Sequence, residues 1–173
     1  ELFLEICKKK GGKLYSIDID DYSNLFTDSN WKFIKSRDDN FEFLEEKLPK
    51  AIDVIYIDSL HEADHVEKIF YHYYKKLNLN GILYIDDISW LPYLSTEERS
   101  NFYCEINNKE TFDRILSIYH DNQDNFDLEF CFISSGMCKI IKKKHNLSKK
   151  KKLVLRENSV KNKIRKIYKS IIK

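Results

Sequence analysis

Asp58, Asp86 and Asp87 are the residues of this chain best placed to do chemistry together. Each closes an apolar, β-rich run, Asp53-Val-Ile-Tyr-Ile-Asp58 in one case and Gly81-Ile-Leu-Tyr-Ile-Asp86-Asp87 in the other. Hard oxygen donors from two neighbouring strand ends suit an octahedral Mg²⁺ or a similar cation, with positions left for water and substrate oxygens. Zinc is disfavoured, because no clustered Cys and His accompany them. The same acids could instead cap helices or face water. His61 lies three residues after Asp58, in the first turn beyond the strand. There a neutral imidazole could take a proton from a substrate hydroxyl, or serve only in packing. Asp18 ends another such run, Leu14-Tyr-Ser-Ile-Asp18. A carboxylate at that place in a nucleotide-binding α/β fold accepts hydrogen bonds from both ribose hydroxyls; a plain helix cap is the alternative.

The elements that must hold these residues follow from periodicity. Between the two acid-ended runs, Val66, Ile69, Phe70, Tyr73 and Leu77 recur at helical spacing, so residues 53–87 read as strand, helix, strand with a parallel crossover and Asn80-Gly81 as the turn. Upstream, Leu2, Phe3, Ile6 and Cys7 read as the last turns of an amphipathic helix broken at Gly11-Gly12. Tyr22, Leu25 and Phe26 read as a short helical stretch, and Trp31 to Ile34 as a strand. A helix presenting Phe41, Leu44 and Leu48 follows, capped by Asp38 or Asp39 and stopped before Pro49. Downstream, an irregular stretch of about fifteen residues begins at Leu91, the length of a lid or substrate-binding segment. A helix near 109–120 comes next, then strands at 126–133 and 137–141 joined through Ser134-Ser135-Gly136. The fold class is α/β: a mostly parallel, Rossmann-like sheet with helices on both faces and a C-terminal antiparallel hairpin.

Composition bounds the rest. The 173 residues, 42% hydrophobic and 14% aromatic, suit one globular domain at 1–141 followed by a basic tail at 142–173. No run approaches a membrane span and no signal peptide opens the chain, so a cytoplasmic location is expected. Cys7, Cys104, Cys131 and Cys138 lack metal or redox spacing and read as buried free thiols. The net charge of +2 conceals an asymmetry: residues 1–138 carry 15 Lys/Arg and 27 Asp/Glu, whereas 139–173 carry 15 and one. Such a tail, with Ile164, Ile167, Tyr168 and Ile171 on one side of a basic helix, could contact a polyanion or simply remain solvated.

The order of these pieces resembles the class I S-adenosylmethionine-dependent methyltransferases, in the O-methyltransferase-like branch of the catechol, caffeoyl-CoA and cephalosporin hydroxylase-like proteins. The likeness rests on Leu14 to Asp18, Phe33-Ile34-Lys35-Ser36-Arg37-Asp38, Asp53 to Asp58 with His61, and Gly81 to Trp90. It implies that Asp18 holds the cofactor ribose, that Ser36, Arg37 and Asp38 border the adenine, and that Asp58 lies near the methionine end. It also implies Asp58, Asp86 and Asp87 as metal ligands and His61 in place of the lysine base of the catechol enzymes. The expected activity is methyl transfer from S-adenosylmethionine to a small-molecule hydroxyl, assisted by Mg²⁺. The family's Gly-rich loop and the strand before it are missing from the sequence, so the chain is expected to begin after them. The rival expectation is a non-catalytic binding module that works through its tail. A short-chain dehydrogenase is disfavoured, because its Tyr-x-x-x-Lys pair occurs only at Tyr71 and Lys75, within a helix.

Overall fold

The computed structural model describes residues 1–91, 102–153 and 159–171, with residues 102–104 described in backbone only. The elements are α1 (Leu2–Lys10), β1 (Leu14–Asp18), β2 (Trp31–Lys35), α2 (Phe41–Lys47), β3 (Ile52–Ile57), α3 (Ala63–Lys76), β4 (Leu77–Asp86), α4 (Phe102–His120), β5 (Phe126–Cys131), β6 (Met137–Lys142) and α5 (Val160–Ile171). β1 pairs with β2 and β3 with β4, both in parallel. β6 lies antiparallel between β4 and β5, giving the order β3-β4-β6-β5. This is the parallel-dominated α/β sheet with a terminal hairpin that the sequence predicts. β1 and β3 are not hydrogen-bonded to each other, so among the described residues each keeps one edge unpaired.

Packing on the sheet is uneven. Leu44 of α2, Ile69 and Phe70 of α3, and Ile115 and Ile118 of α4 close over Leu83, Ile85 and Ile140 in one apolar core. Strand alternation sends Val54 and Tyr56 to the opposite face, where Phe3 of α1 approaches Tyr56 with ring centroids 5.9 Å apart. That face stays open, with Val54 54% and Tyr56 40% exposed. α1 ends in a left-handed Gly11 (φ 68°), whose neighbour Gly12 returns its N–H to the Cys7 carbonyl at 2.8 Å.

Several expectations are corrected. Residues 19–30 form no helix through Tyr22, Leu25 and Phe26. Asp18, Asp21 and Asp28 each accept the N–H two residues on, at 2.8–3.0 Å. These local bonds compete with helical ones for the same backbone donors. Asp38 and Asp39 do not cap α2, whose N-cap is Asn40 without a side-chain cap bond. Asn80-Gly81 is no turn between helix and strand but an irregularity inside β4, with Asn80 at φ 63° and the register slipping between Ile52 and Val54. α4 starts at Phe102, earlier than expected. The expected lid falls mostly outside the described residues, as do the side chains of Phe102, Tyr103 and Cys104.

Of the thiols, Cys138 is buried but Cys131 is exposed and Cys7 intermediate. Lys142, the first residue of the expected tail, closes β6 and is fully buried. Beyond it the chain remains tied to the body: Tyr71 donates its hydroxyl to the Ser148 carbonyl and accepts from Lys150 N–H, both at 3.1 Å, and Lys151 pairs with Asp121 at 2.7 Å. No helix among the described residues is long and apolar enough to cross a membrane.

Candidate functional site

The parallel register of β1 and β2 sets Asp18 opposite Lys35. Ser36 consequently donates its N–H to the Asp18 carbonyl at 2.8 Å, so the two strand ends form one ledge. One Asp18 oxygen, Oδ1, accepts from Asp20 N–H at 2.9 Å. Ser36 Oγ donates to the Arg37 carbonyl at 3.0 Å, and the exposed Arg37 guanidinium binds Asp39 at 2.9 Å. That guanidinium, with Lys68 at 3.2 Å, holds the Asp39 carboxyl down to about 2. Asp38 turns away from the ledge. Its carboxylate meets the buried His65 Nε2 at 3.1 Å and its carbonyl accepts the Tyr73 hydroxyl at 2.6 Å, fixing the turn to α3. Asp18, Ser36 and Arg37 are thus brought together, while Asp38 serves as their anchor.

The second group forms where β3 and β4 end. With Tyr56 opposite Tyr84 and Ile57 opposite Ile85, the chain brings Asp58 beside Asp86. Tyr56 donates its hydroxyl to Asp86 Oδ2 at 2.7 Å, and Ser135 Oγ and Asp87 N–H donate to Asp86 Oδ1 at 3.2 and 2.9 Å. His61 Nε2 stands 3.1 Å from Asp87 Oδ2 and 3.6 Å from Asp58 Oδ1. Asp87 adopts φ 56°, a left-handed conformation that aspartate tolerates better than most residues. Partial desolvation of the carboxyl, reinforced by Asp86, pushes the Asp58 pKa up, although its side chain is 53% exposed. Partial desolvation where the hydroxyl meets Asp86, and then the bond itself, likewise raise that of Tyr56 well beyond the ordinary phenol range, although the ring is exposed.

Tyr56 and Ser135 did not stand out in the sequence. Tyr56 had a signal, since two residues before Asp58 on a strand means the same face; Ser135 becomes visible only once the hairpin is closed. Nearby, Ser59 Oγ, Ser89 Oγ and Trp90 Nε1 are buried without a hydrogen-bond partner among the described residues, as groups awaiting a ligand or water would be. Trp90 itself packs on α4, with Phe112 at 5.7 Å and Lys109 Nζ over its ring at 4.6 Å.

The donor set can be tested against a divalent cation. Both oxygens of Asp86 already accept protein donors, and His61 stands between Asp58 and Asp87. Among the described residues no group of three or more His, Cys, Asp or Glu is arranged to hold a metal ion. As they stand, Asp86 and Asp87 are engaged by side-chain partners, which a bound Mg²⁺ would have to share or displace.

Residues 2–88, the stretch that carries both groups apart from Ser135, match the methyltransferase-domain family. The chain belongs to that family. Solved structures agree with the methyltransferase domain in fold. MycE methyltransferase from the mycinamycin biosynthetic pathway, in complex with Mg, SAH and mycinamycin VI, is 18% identical with a TM-score of 0.55, covering 78% of this chain and 37% of its own. SAH-bound PaMTH1 from Podospora anserina is 14% identical with a TM-score of 0.59, covering 79% and 63%. A Staphylococcus aureus protein provisionally described as a caffeoyl-CoA O-methyltransferase is 15% identical with a TM-score of 0.56, covering 82% and 81%. The chain therefore spans less than two thirds of the first two. No curated protein matches it.

The raised pKa of Asp58 has a measurable sign. A carboxyl that holds its proton more tightly when folded makes stability fall as pH rises from the ordinary 3.8 through the folded value. Asp58→Asn in the methyltransferase domain is therefore expected to raise the denaturation midpoint at neutral pH and to leave it unchanged near about pH 3. Urea titrations at the two pH values check this, and a lowered midpoint at neutral pH would contradict it.

Proposed function

We propose that this methyltransferase domain binds S-adenosylmethionine along the ends of β1, β2 and β3 and transfers its methyl group to a small-molecule hydroxyl. The observation that carries the reading is the ledge of Asp18 and Ser36 at the carboxyl ends of two parallel strands. Ligands of open α/β sheets bind at such strand ends. Asp18 is read as the ribose acceptor, Ser36 and Arg37 as the border of the adenine, and Asp58 as a neighbour of the methionine end. Asp38 contributes by holding that border in place.

The acceptor hydroxyl is assigned to His61. Nε2 beside Asp87 favours the tautomer that donates there, which leaves Nδ1 to take the substrate proton as the methyl group is transferred. In-line placement of oxygen, methyl carbon and sulfur supplies the remaining advantage. Mg²⁺ bound to Asp58, Asp86 and Asp87 would first have to displace Tyr56 and His61, so proton removal is given to the imidazole.

Calorimetric titration of the full-length protein with S-adenosylmethionine tests the reading. Asp18→Ala is expected to weaken binding by about 1.5–3 kcal/mol, the value of hydrogen bonds to a charged acceptor, with Mg²⁺ making no difference to the wild-type isotherm. Equal affinity in the variant would remove the ribose assignment.

A further inference from the structure

The C-terminal helix α5 has a form that the proposed methyl transfer does not use. Val160, Ile164, Ile167 and Ile171, with Tyr168 beside them, fall within an arc of about 100° on a helical wheel. All five are exposed, at 60–74%. Lys161, Lys163, Arg165, Lys166 and Lys169 fill the remaining arc, and no acid occurs anywhere in the helix. No residue of α5 is buried.

We propose that α5 lies flat on an anionic lipid surface and docks the protein there. Two faces of opposite character, one apolar and one cationic with only Asn162 and Ser170 uncharged, match the boundary between acyl chains and acidic headgroups. Tyrosine at the seam suits the same boundary, its ring in the apolar layer and its hydroxyl in water. Twelve residues span about 18 Å, too short to cross a bilayer and long enough to lie along one. Nucleic acid would satisfy the lysines but leave the isoleucines uncovered. A second copy offers an acidic body, yet much of that acid is already engaged: Asp39 by Arg37 and Lys68, Glu45 by Lys76, Glu67 by Arg114 and Lys150, Asp121 by Lys151.

The test is flotation of the full-length protein with vesicles of pure phosphatidylcholine and of phosphatidylcholine containing phosphatidylserine. Association with the anionic vesicles alone is expected, falling steeply as salt rises because the attraction is screened over about 8 Å at physiological ionic strength. Ile164→Asn combined with Ile167→Asn should weaken it at least tenfold, since the stripe is lost and the charge kept. Both side chains are exposed, so the double variant should retain the parent's circular dichroism. The proposal is overturned by equal binding to neutral vesicles, or by a double variant that floats as well as the parent. It is equally overturned by a lipid-free oligomer, or a complex with single-stranded oligonucleotide, that the double variant loses while its flotation persists.

Discussion

Gly136→Ala is expected to lower stability by about 3 kcal/mol, from two causes that act together. Gly136 sits at φ 81°, where a Cβ meets its own backbone, and the position allows no relief. An added Cβ would stand 2.6 Å from both the backbone nitrogen and Cβ of Ser89. Those atoms belong to the segment just past the end of β4 and cannot swing aside as a flexible side chain would. They are held by Ser89 N–H to the Ser135 carbonyl at 2.7 Å and by Ile88 N–H to the Gly136 carbonyl at 3.4 Å. Left-handed strain contributes about 1–2 kcal/mol and overpacking about 1–3. Because Asp86 and Asp87 lie just upstream of Ser89, any relaxation moves the candidate site as well. Urea denaturation of Gly136→Ala beside Ser135→Ala, which loses only one hydroxyl contact, separates strain from hydrogen bonding. An unchanged midpoint for the glycine variant would refute the account.

Lys142→Ala should be of similar or larger effect. Its ammonium group is buried at the C-terminus of α3, donating to the carbonyls of Tyr74 at 2.8 Å, Leu77 at 2.5 Å and Lys75 at 3.5 Å, and lies 4.9 Å from the Tyr74 ring centroid. A cation there answers carbonyls that end a helix and the negative end of its dipole. Alanine leaves those carbonyls without it and opens a cavity where the stem was, for an expected loss of about 4 kcal/mol. Lys142→Met keeps the stem and should lose about 2 kcal/mol, isolating the polar part. Burial lowers the pKa of this amine from 10.5. Between the lowered value and 10.5 the unfolded chain binds more protons, so this group makes stability rise with pH there. Neither variant should show that rise. Denaturation midpoints across the alkaline range measure both effects, and parallel pH profiles for parent and methionine variant would contradict the second.

The sequence made the sheet legible because each strand carries its own boundary: apolar β-branched runs that stop at Asp18, Asp58 and Asp86, and a Gly136 turn that closes the hairpin. The family likeness drawn from the same runs agrees with the methyltransferase-domain match. What stayed hidden depended on partners distant in sequence. Asp38 looks like a helix cap until His65, 27 residues away, is folded against it. Residues 22–26 have helical spacing, but the flanking Asp21 and Asp28 satisfy the backbone locally instead. Asn80-Gly81 has turn composition, yet it lies inside β4 as an irregular stretch between Leu77 and Ile82, the residues that pair with β3. The site shows the same division: Asp58, Asp86, Asp87 and His61 could be gathered from strand ends alone, whereas the hydroxyls of Tyr56 and Ser135 that occupy Asp86 required the register of three strands.

The contrast between two thiols on neighbouring strands equips the protein with its own reporter. Cys131 is exposed on β5 at the sheet's edge; Cys138 is fully buried on interior β6, and burial raises its pKa far above the ordinary thiol value. With Cys7 and Cys104 replaced by serine, an alkylating reagent would tag Cys131 in the native protein and Cys138 only when β6 leaves the sheet. Where reclosing outruns tagging, the ratio of the two rates, scaled by the reactivity of each unfolded thiol, yields the free energy of that opening without denaturant.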